Sequence, residues 1–206
     1  MKRLLIATSN PAKLAEYRLL LREFALESLS LADVGIREQP EEDGATFAEN
    51  ALKKARFYFG RSGLPTLADD GGLEVDALGG EPGVRSHRWL GAGASSDEGL
   101  VAEVIRRMQG VEPSRRTARI TAAVVLVYPD AGLPRECVAQ ASMEGVIAER
   151  AWPRIRPGFP YRSVLYLPDR ECYVAELGDE EEARISQRRT ALAQLAPDLR
   201  RVAQNT

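Results

Sequence analysis

The sequence contains little cysteine and no long hydrophobic run, and each shortage excludes a class of protein. The two cysteines, Cys137 and Cys172, are too few for a disulfide framework or a zinc site, and they fit a reducing compartment. No apolar stretch approaches the roughly 18 residues of a membrane span. The apolar run over residues 4–7 is far shorter than the core of a signal peptide. We therefore expect a soluble cytoplasmic protein.

The chain also lacks a surplus of charge of either sign. Its 28 Lys and Arg residues face 30 Asp and Glu residues, which gives a formal net charge of −2. A general nucleic-acid binder usually carries a basic stripe, so that class has no support, although a nucleotide-sized ligand needs only a few local cations. Hydrophobic residues make up 44% of the 206 residues, which is enough to bury a core. We expect one domain over residues 1–206, with no nucleic-acid or membrane partner.

The hydrophobic pattern predicts mixed strands and helices. Asn10 and Pro11 are typical of a helix start, and Thr46 with Glu49 fits a capping box. Strands are predicted over residues 3–8, 26–31, 66–69, 73–77, 118–128, 137–148 and 164–167, and helices over residues 12–24, 47–61 and 96–108 and after Asp179, with breaks near Ser186 and before Pro197. Both hairpin and crossover spacings occur, which indicates an α/β class with a mixed sheet.

The segment Thr8-Ser9-Asn10 is a predicted strand-to-helix turn, and Lys13 follows in the first turn of the helix. Backbone N–H groups at a helix start, short hydroxyls and a lysine together suit an anion, above all a phosphate. Many strand-to-helix turns look alike, so this feature by itself is weak.

Two acidic segments complete the pattern. The first, Glu41-Glu42-Asp43, is typical of a solvated loop. The second, Asp69-Asp70-Gly71-Gly72, is typical of a hairpin turn. Chemistry offers another interpretation, because Mg²⁺ binds carboxylates together with phosphate oxygens and an attacking water needs a carboxylate to orient it. Phosphoryl chemistry would need the lysine, the turn and both acidic segments in one place.

The segments ATSNPAK, EEDGATFAENALKKA, LADDGGLEVDALGGEPGVRSHRW and ISQRRTAL resemble the inosine triphosphate pyrophosphatase family, in the same order over nearly the whole chain. The resemblance implies Mg²⁺-dependent cleavage of nucleoside triphosphates, with a preference for deaminated purines such as those of ITP, dITP and XTP, to monophosphate and pyrophosphate. It also implies a homodimer, and an elongated mixed α/β fold with helices flanking the sheet and a substrate cleft between two lobes.

The same resemblance implies three groups of site residues. The catalytic ones are Asp70, Asp69 and Lys54, with Asp70 as the metal ligand and the general base for water. The metal ligands are Asp70 and either Glu41 or Glu42. The substrate-binding residues are Thr8, Ser9, Asn10, Lys13, Asn50, Gly71, Ser86, Arg88, Phe159, Arg162, Gln187 and Arg188. Of their neighbours, Glu49 is expected to cap its helix, with metal binding as the alternative, His87 to lie on a loop surface and Trp89 to pack.

The chain departs from the family pattern in the segment that reads the base. Phe159, the expected stacking ring, is present, but Arg162 stands where the family has an aspartate. Gln187 replaces a histidine and Glu182 replaces a lysine. Misplaced polar groups at a base edge change discrimination by orders of magnitude. The sequence therefore leaves open an altered base preference and, as an alternative, a nucleotide-binding protein of the same fold that has lost catalysis.

Overall fold

The computed structural model describes residues 1–91 and 96–204, which form seven strands and five α-helices. The strands are β1 (Lys2–Ile6), β2 (Leu26–Leu29), β3 (Thr66–Val75), β4 (Thr117–Asp130), β5 (Leu133–Ile147), β6 (Leu165–Leu167) and β7 (Cys172–Tyr173). The helices are α1 (Pro11–Leu20), α2 (Phe47–Ser62), α3 (Asp97–Arg107), α4 (Asp179–Ile185) and α5 (Gln187–Gln204).

The strands form one mixed sheet in the order β2-β1-β3-β4-β5-β6-β7. β1 pairs in parallel with both β2 and β3, whereas β6 pairs antiparallel with β5 and β7. Parallel pairs need crossover helices and antiparallel pairs do not, so both kinds of connection occur. The predicted α/β class with a mixed sheet is confirmed. No helix in the described ranges is long and apolar enough to cross a membrane.

The chain divides into two compact units. Unit 1 consists of Met1–Asp70, Ala122–Ala141 and Arg188–Thr206, and unit 2 of Gly71–Thr121 and Ser142–Gln187. The long strands β3, β4 and β5 contribute residues to both units. A single catalytic domain over residues 1–206 stays a prediction.

Unit 1 contains helices α1 and α2 and all of α5 after Gln187. α1 begins where predicted, but it ends at Leu20 rather than Phe24, and a 3₁₀ turn over Arg22–Phe24 follows. Ala25 then adopts a left-handed conformation (φ 47°), which ends the turn. α2 is capped by Thr46 and ends at Gly63 (φ 64°), as expected of a left-handed glycine cap.

Unit 2 has its own apolar core around α3. The buried residues of this core come from β3, α3 and its C-cap, β4, β5, the 3₁₀ turn Pro160–Ser163 and the residue after it, β6 and the segment before α4. They are Leu73, Val75, Leu100, Val101, Val104, Met108, Ala118, Met143, Ile147, Tyr161, Val164, Leu165, Leu167, Val174 and Leu177. The positions of the unit 2 groups described below are thus set by a continuous packed core.

The prediction of a hairpin at Asp69-Asp70-Gly71-Gly72 is wrong, because β3 runs without interruption from Thr66 to Val75. Neither glycine has a positive φ, so no turn is made. Gly72 serves a close approach instead, since a Cβ built on it would lie 1.9 Å from Ser86 Oγ. The two aspartates therefore lie within a strand, where successive side chains point to opposite faces.

The predicted break near Ser186 is confirmed, because α4 ends at Ile185 and α5 starts at Gln187. The predicted break before Pro197 is wrong, since α5 continues through Pro197 to Gln204. A proline inside a helix costs about 3 kcal/mol. Leu192, Leu195 and Leu199 around it are buried, and each contributes about 1.5–3 kcal/mol, which offsets that cost.

Candidate active site

The parallel pairing of β1 and β3 explains how the first site residues of unit 1 meet. Leu5 aligns with Thr66 and Ile6 with Leu67, so both strands point their carboxyl ends to the same edge of the sheet. The turn that follows β1 leads into α1, whose first turn carries Lys13, and this residue is thereby brought beside the aspartates of β3 at that edge.

Asn10 and Thr8 shape this turn with their own side chains. Asn10 Oδ1 accepts hydrogen bonds from the backbone N–H groups of Ala12 (2.9 Å) and Lys13 (3.2 Å), and the Asn10 N–H donates to Thr8 Oγ1 (3.1 Å). Ser9 between them is exposed. These hydrogen bonds fix the conformation of the turn at the helix start. A phosphate-binding role for its three residues stays a prediction.

Asp69 is enclosed by two buried cations. Its carboxylate lies 3.2 Å from Lys13 Nζ and 2.9 Å from Arg188 Nη2, and the side chain is 1% exposed. Arg188 also contacts Glu16 (Nη1 to Oε2, 3.2 Å). We call these four residues, Lys13, Asp69, Arg188 and Glu16, the Asp69 network.

Asp70 has a different set of neighbours. Asn50 Nδ2 donates to its Oδ2 (3.1 Å), and Lys54 Nζ lies 3.8 Å from its Oδ1. Lys54 is also 3.2 Å from Glu42 Oε2. We call these four residues, Asp70, Asn50, Lys54 and Glu42, the Asp70 cluster.

The two environments shift the pKa values of the aspartates in opposite directions. For Asp69, burial acts to raise the pKa, but Lys13, Arg188 and Lys54 together lower it well below its usual range. For Asp70, burial raises the pKa, and Lys54, Lys13 and Asn50 offset this only in part. A carboxylate with a raised pKa is a stronger base, so the geometry distinguishes two residues that look equivalent in the sequence.

The acidic loop contributes Glu42 to the Asp70 cluster, whereas Glu41 is exposed. Glu49 accepts a hydrogen bond from the Ala45 N–H (2.7 Å), so it helps to cap α2 as expected. No group of three or more His, Cys, Asp or Glu side chains with metal-ligand geometry occurs in the part of the chain that the structure describes. The donor set is instead two carboxylates, Glu42 and Asp70, beside one lysine.

In unit 2, Ser86 is buried and its hydroxyl is engaged with the backbone. Oγ donates to Gly83 O (2.7 Å) and accepts from the Leu73 N–H (3.0 Å), while Tyr161 Oη donates to Ser86 O (2.6 Å). These bonds hold the glycine-rich loop against β3. Substrate contact by Ser86, by Gly71 in β3 or by the exposed Arg88 stays a prediction.

Arg162 and Glu182, which both depart from the family pattern, form one ion pair in unit 2. Arg162 Nε lies 2.6 Å from Glu182 Oε1, and both residues are buried. Arg162 Cζ lies 3.5 Å from the centroid of the Phe159 ring. Arg156 Nη1 contacts the other oxygen of Glu182 at 2.9 Å. The resemblance implies an acidic and a basic residue at the two positions, so this chain exchanges the charges and keeps a neutral pair.

The neighbouring predicted residues are placed as follows. Gln187, the first residue of α5, is buried, as is Ser186. His87 is exposed, as expected. Trp89 packs against the core of unit 2, and Arg107 Cζ lies 4.3 Å from its ring centroid, so the prediction of a packing role is confirmed.

Sequence reasoning missed Glu16 and Arg156. Glu16 lies three residues after Lys13 on α1, so helical spacing places both near one face and could have suggested that they share a network. Arg156 carries no such signal, because its partner Glu182 is 26 residues away and only the tertiary structure brings them together.

Comparison with known proteins identifies the family of this chain. The family profile of the Ham1 family matches residues 4–198. A dITP/XTP pyrophosphatase of Thermus thermophilus is 43% identical over 193 residues, covering 94% of this chain and 89% of the relative. One of Geobacillus kaustophilus is 42% identical over 195 residues, covering 95% and 93%.

Solved structures show the same relationship. A HAM1 protein of Coxiella burnetii is 34% identical, with a TM-score of 0.81 and coverage of 97% of this chain and 98% of that one. A nucleoside-triphosphatase (dITP/XTP pyrophosphatase) of Mycobacterium abscessus is 37% identical, with a TM-score of 0.72 and coverage of 95% and 99%. The family that the sequence motifs indicated is thereby confirmed, and the chain belongs to the Ham1 family.

Proposed function

We propose that this protein hydrolyses nucleoside triphosphates to the monophosphate and pyrophosphate, with non-standard purine triphosphates such as ITP, dITP and XTP as substrates. The observation that carries the proposal is Asp70, a buried carboxylate with a raised pKa beside Lys54 and Asn50. The relatives named dITP/XTP pyrophosphatase support the substrate class. Such an enzyme would remove deaminated nucleotides from the pool.

The cations of unit 1 supply the binding energy for the triphosphate. Lys13 in the first turn of α1 and Lys54 on α2 each lie beside a carboxylate of β3. A polyphosphate is an acceptor for both ammonium groups and for backbone N–H groups at the start of α1. The turn over Thr8, Ser9 and Asn10 would receive one phosphate.

Asp70 orients a water and accepts its proton. The water oxygen then bonds to the α-phosphorus, the bond between the α-phosphorus and the bridging oxygen breaks, and pyrophosphate leaves. Asp69 is not suited to this step, because two cations lower its pKa. Its role is to hold Lys13 and Arg188 in position.

The donor set also fits Mg²⁺. This ion is usually bound by one or two carboxylates together with waters and substrate phosphates. Glu42 and Asp70 provide two carboxylates, each within 4 Å of Lys54 Nζ. When bound there, Mg²⁺ would neutralise charge on the phosphate oxygens. Glu41, which is exposed, has less support as a ligand.

A homodimer and a cytoplasmic location complete the proposal. The homodimer is the assembly that the resemblance to the family implies. The two cysteines are free thiols, as is typical of a reducing compartment. Sedimentation equilibrium of the purified chain tests the dimer, since a monomer at micromolar concentration would contradict it.

The decisive experiment is pyrophosphate release from a panel of triphosphates. The panel contains ITP, dITP, XTP, the four standard ribonucleotides, their deoxy forms and dUTP, each with and without Mg²⁺. Mg²⁺-dependent turnover of ITP, dITP or XTP above all others supports the proposal. Preference for a standard triphosphate would indicate an altered base specificity, and nucleotide binding without turnover would indicate a binding protein that has lost catalysis.

A further inference from the structure

Asn50 on α2 joins two parts of unit 1 that lie far apart in the sequence. The residue is 0% exposed. Its Oδ1 accepts a hydrogen bond from the Gly44 N–H at 2.7 Å, and its Nδ2 donates to Asp70 Oδ2 at 3.1 Å. Because an N–H only donates and an ionised carboxylate only accepts, the two partners fix which end of the amide faces each of them. One planar group thus links the backbone just after the acidic loop to Asp70 on β3.

Gly44 fits against Asn50 because it has no side chain. A Cβ built on Gly44 would lie 2.7 Å from Asn50 Oδ1 and 2.8 Å from Glu49 Cβ, well inside the roughly 3.5–4.0 Å of a favourable contact. The φ of Gly44 is not positive, so the backbone conformation does not require glycine. The close approach and the hydrogen bond are therefore two observations that place the end of the acidic loop directly on Asn50.

Neither packing nor substrate contact explains an asparagine at this position. Asparagine is a poor helix former, and a buried amide costs free energy unless it is hydrogen-bonded, so an apolar residue would serve packing better. The resemblance to the family implies substrate contact, but Asn50 has no exposed surface and both Oδ1 and Nδ2 bind groups of this chain. What the amide provides, and an apolar or ionised acidic side chain lacks, is an acceptor and a donor on one rigid group.

The link through Asn50 bears on the position of Glu42. Glu42 comes two residues before Gly44, and its Oε2 lies 3.2 Å from Lys54 Nζ. The same Nζ lies 3.8 Å from Asp70 Oδ1. The backbone next to Glu42 and the carboxylate of Asp70 thus share one buried support, the amide of Asn50.

We propose that Asn50 is a positioning residue that holds the acidic loop on Asp70, so that Glu42 and Asp70 stay together as the two carboxylates for Mg²⁺, and that Asn50 does not touch the substrate. Because both carboxylates depend on one amide, its loss weakens the metal site and leaves binding of the triphosphate itself intact. The inference deepens the function proposed above and rests on it.

The first test is Asn50→Leu, which removes both hydrogen bonds and nearly keeps the size of the side chain. We expect the Mg²⁺ concentration for half-maximal activity to rise about tenfold or more, as for other outer-shell partners of a metal. KM for the preferred triphosphate of the panel, measured at saturating Mg²⁺, should change less than about twofold. A residue that only supports the fold would change neither quantity in the folded variant.

Lys53→Gln is the matched control. Lys53 contacts Asp43 and so joins the same loop to the same helix, but the two side chains are 45% and 66% exposed, and such pairs contribute little. The variant should leave the Mg²⁺ requirement and KM unchanged. A raised KM with an unchanged Mg²⁺ requirement in Asn50→Leu would mean substrate contact and would overturn the proposal, and so would the absence of any change.

Gly44→Ala tests the same link from the side of the loop, and it replaces Asn50→Leu if that variant does not fold. The added Cβ has to displace the loop from Asn50, so the Mg²⁺ requirement should again rise. Gly60→Ala is its control, because a Cβ built on Gly60, also on α2, meets nothing within 4 Å. An Mg²⁺ requirement that Gly44→Ala leaves unchanged would contradict the proposal.

Binding of Mn²⁺ without nucleotide, followed by electron paramagnetic resonance, does not depend on turnover, and Mn²⁺ prefers the same oxygen ligands as Mg²⁺. If no triphosphate is hydrolysed but Asn50→Leu weakens Mn²⁺ binding about tenfold, the proposed function fails and the inference stands. If turnover occurs and Asn50→Leu changes neither Mn²⁺ binding nor the Mg²⁺ requirement, the inference fails alone. A protein that neither binds Mn²⁺ nor hydrolyses any triphosphate would overturn both.

Discussion

The Asp69 network and the Asp70 cluster contain adjacent residues of one strand, and the pKa values of these two aspartates are shifted in opposite directions. Asp69 meets Lys13 and Arg188 at 3.2 and 2.9 Å, and its pKa is lowered. Asp70 meets an amide at 3.1 Å and a lysine at 3.8 Å, and burial raises its pKa. Alternation along the strand is the cause, because it turns each side chain toward a different set of neighbours.

The difference teaches that charge compensation separates a structural acid from a reactive one. Two close cations stabilise the carboxylate of Asp69 so strongly that it is a poor proton acceptor. Asp70 is only partly compensated, and so it is a better base. A reactive carboxylate of this kind costs stability.

The largest expected effect comes from Asp69→Asn, which leaves two buried cations without their shared carboxylate. We expect the free energy of unfolding to fall by about 3–5 kcal/mol, measured by urea denaturation at pH 7. Because the folded pKa of Asp69 lies below the unfolded value of about 3.9, its contribution is complete above that pH and is lost as the pH falls toward the folded pKa. The difference between variant and original protein should therefore shrink below about pH 4.

The control for that measurement is Glu23→Gln, which breaks the exposed pair of Glu23 with Arg189 and should leave stability unchanged. If Asp69→Asn is as stable as the original protein, the Asp69 network has no structural role. The distinction between a structural Asp69 and a reactive Asp70 is then wrong.

Asp70→Asn should show the reverse pattern, with activity lost and stability kept. We expect kcat to fall about a hundredfold or more, as for the loss of a general base. A folded pKa above the unfolded one means that ionised Asp70 costs stability at neutral pH, so the thermal midpoint should not fall. Retention of more than about a tenth of the activity would contradict the role of Asp70 as the base.

Glu42→Gln and Glu41→Gln form a matched pair that decides between the two candidate ligands. We expect the Mg²⁺ concentration for half-maximal activity to rise about tenfold or more for Glu42→Gln, since even outer-shell partners of a metal cost that much. Glu41→Gln should change it less than about twofold. A larger effect at Glu41 would assign the metal to Glu41. Equal effects would contradict the choice of Glu42 over Glu41.

The smallest effect is a shift in pH dependence. Asn50 donates a hydrogen bond to ionised Asp70 and lowers its pKa, so Asn50→Ala should raise that pKa further. The acid limb of kcat/KM should then move to higher pH, because a hydrogen bond that favours the ionised form is lost. An unmoved limb would mean that a group other than Asp70 limits the rate at low pH.

Sequence reasoning was most successful where local rules apply. Asn10 and Thr46 cap their helices as predicted, because capping depends on residues only a few positions apart. It failed at Gly71-Gly72 and at Pro197, where both residue types usually interrupt structure. There the close approach of Ser86 and the burial of Leu195 and Leu199 prevail over local preference.

The sequence predicts the residues of the candidate site but not the contacts among them. Lys13, Lys54, Asp69, Asp70 and Arg188 are all recognisable in the sequence by their motifs. Nothing in the sequence indicates that Arg188 binds Asp69 across 119 positions, or that Arg162 and Glu182 neutralise each other. In the sequence, Arg162 is an inverted charge, but in the folded chain Glu182 inverts the charge of its partner as well, and the two residues form an ion pair.

The sequence by itself determined the family, the α/β class and the residue types that phosphate and metal chemistry need, since these follow from local pattern and motif order. Only the tertiary structure decided which aspartate is neutralised, which glutamate of the acidic loop joins Lys54, and that Arg162 lies on Phe159. The physical reason is that a charge is tuned by whatever lies within a few ångströms, and those neighbours come from distant parts of the chain.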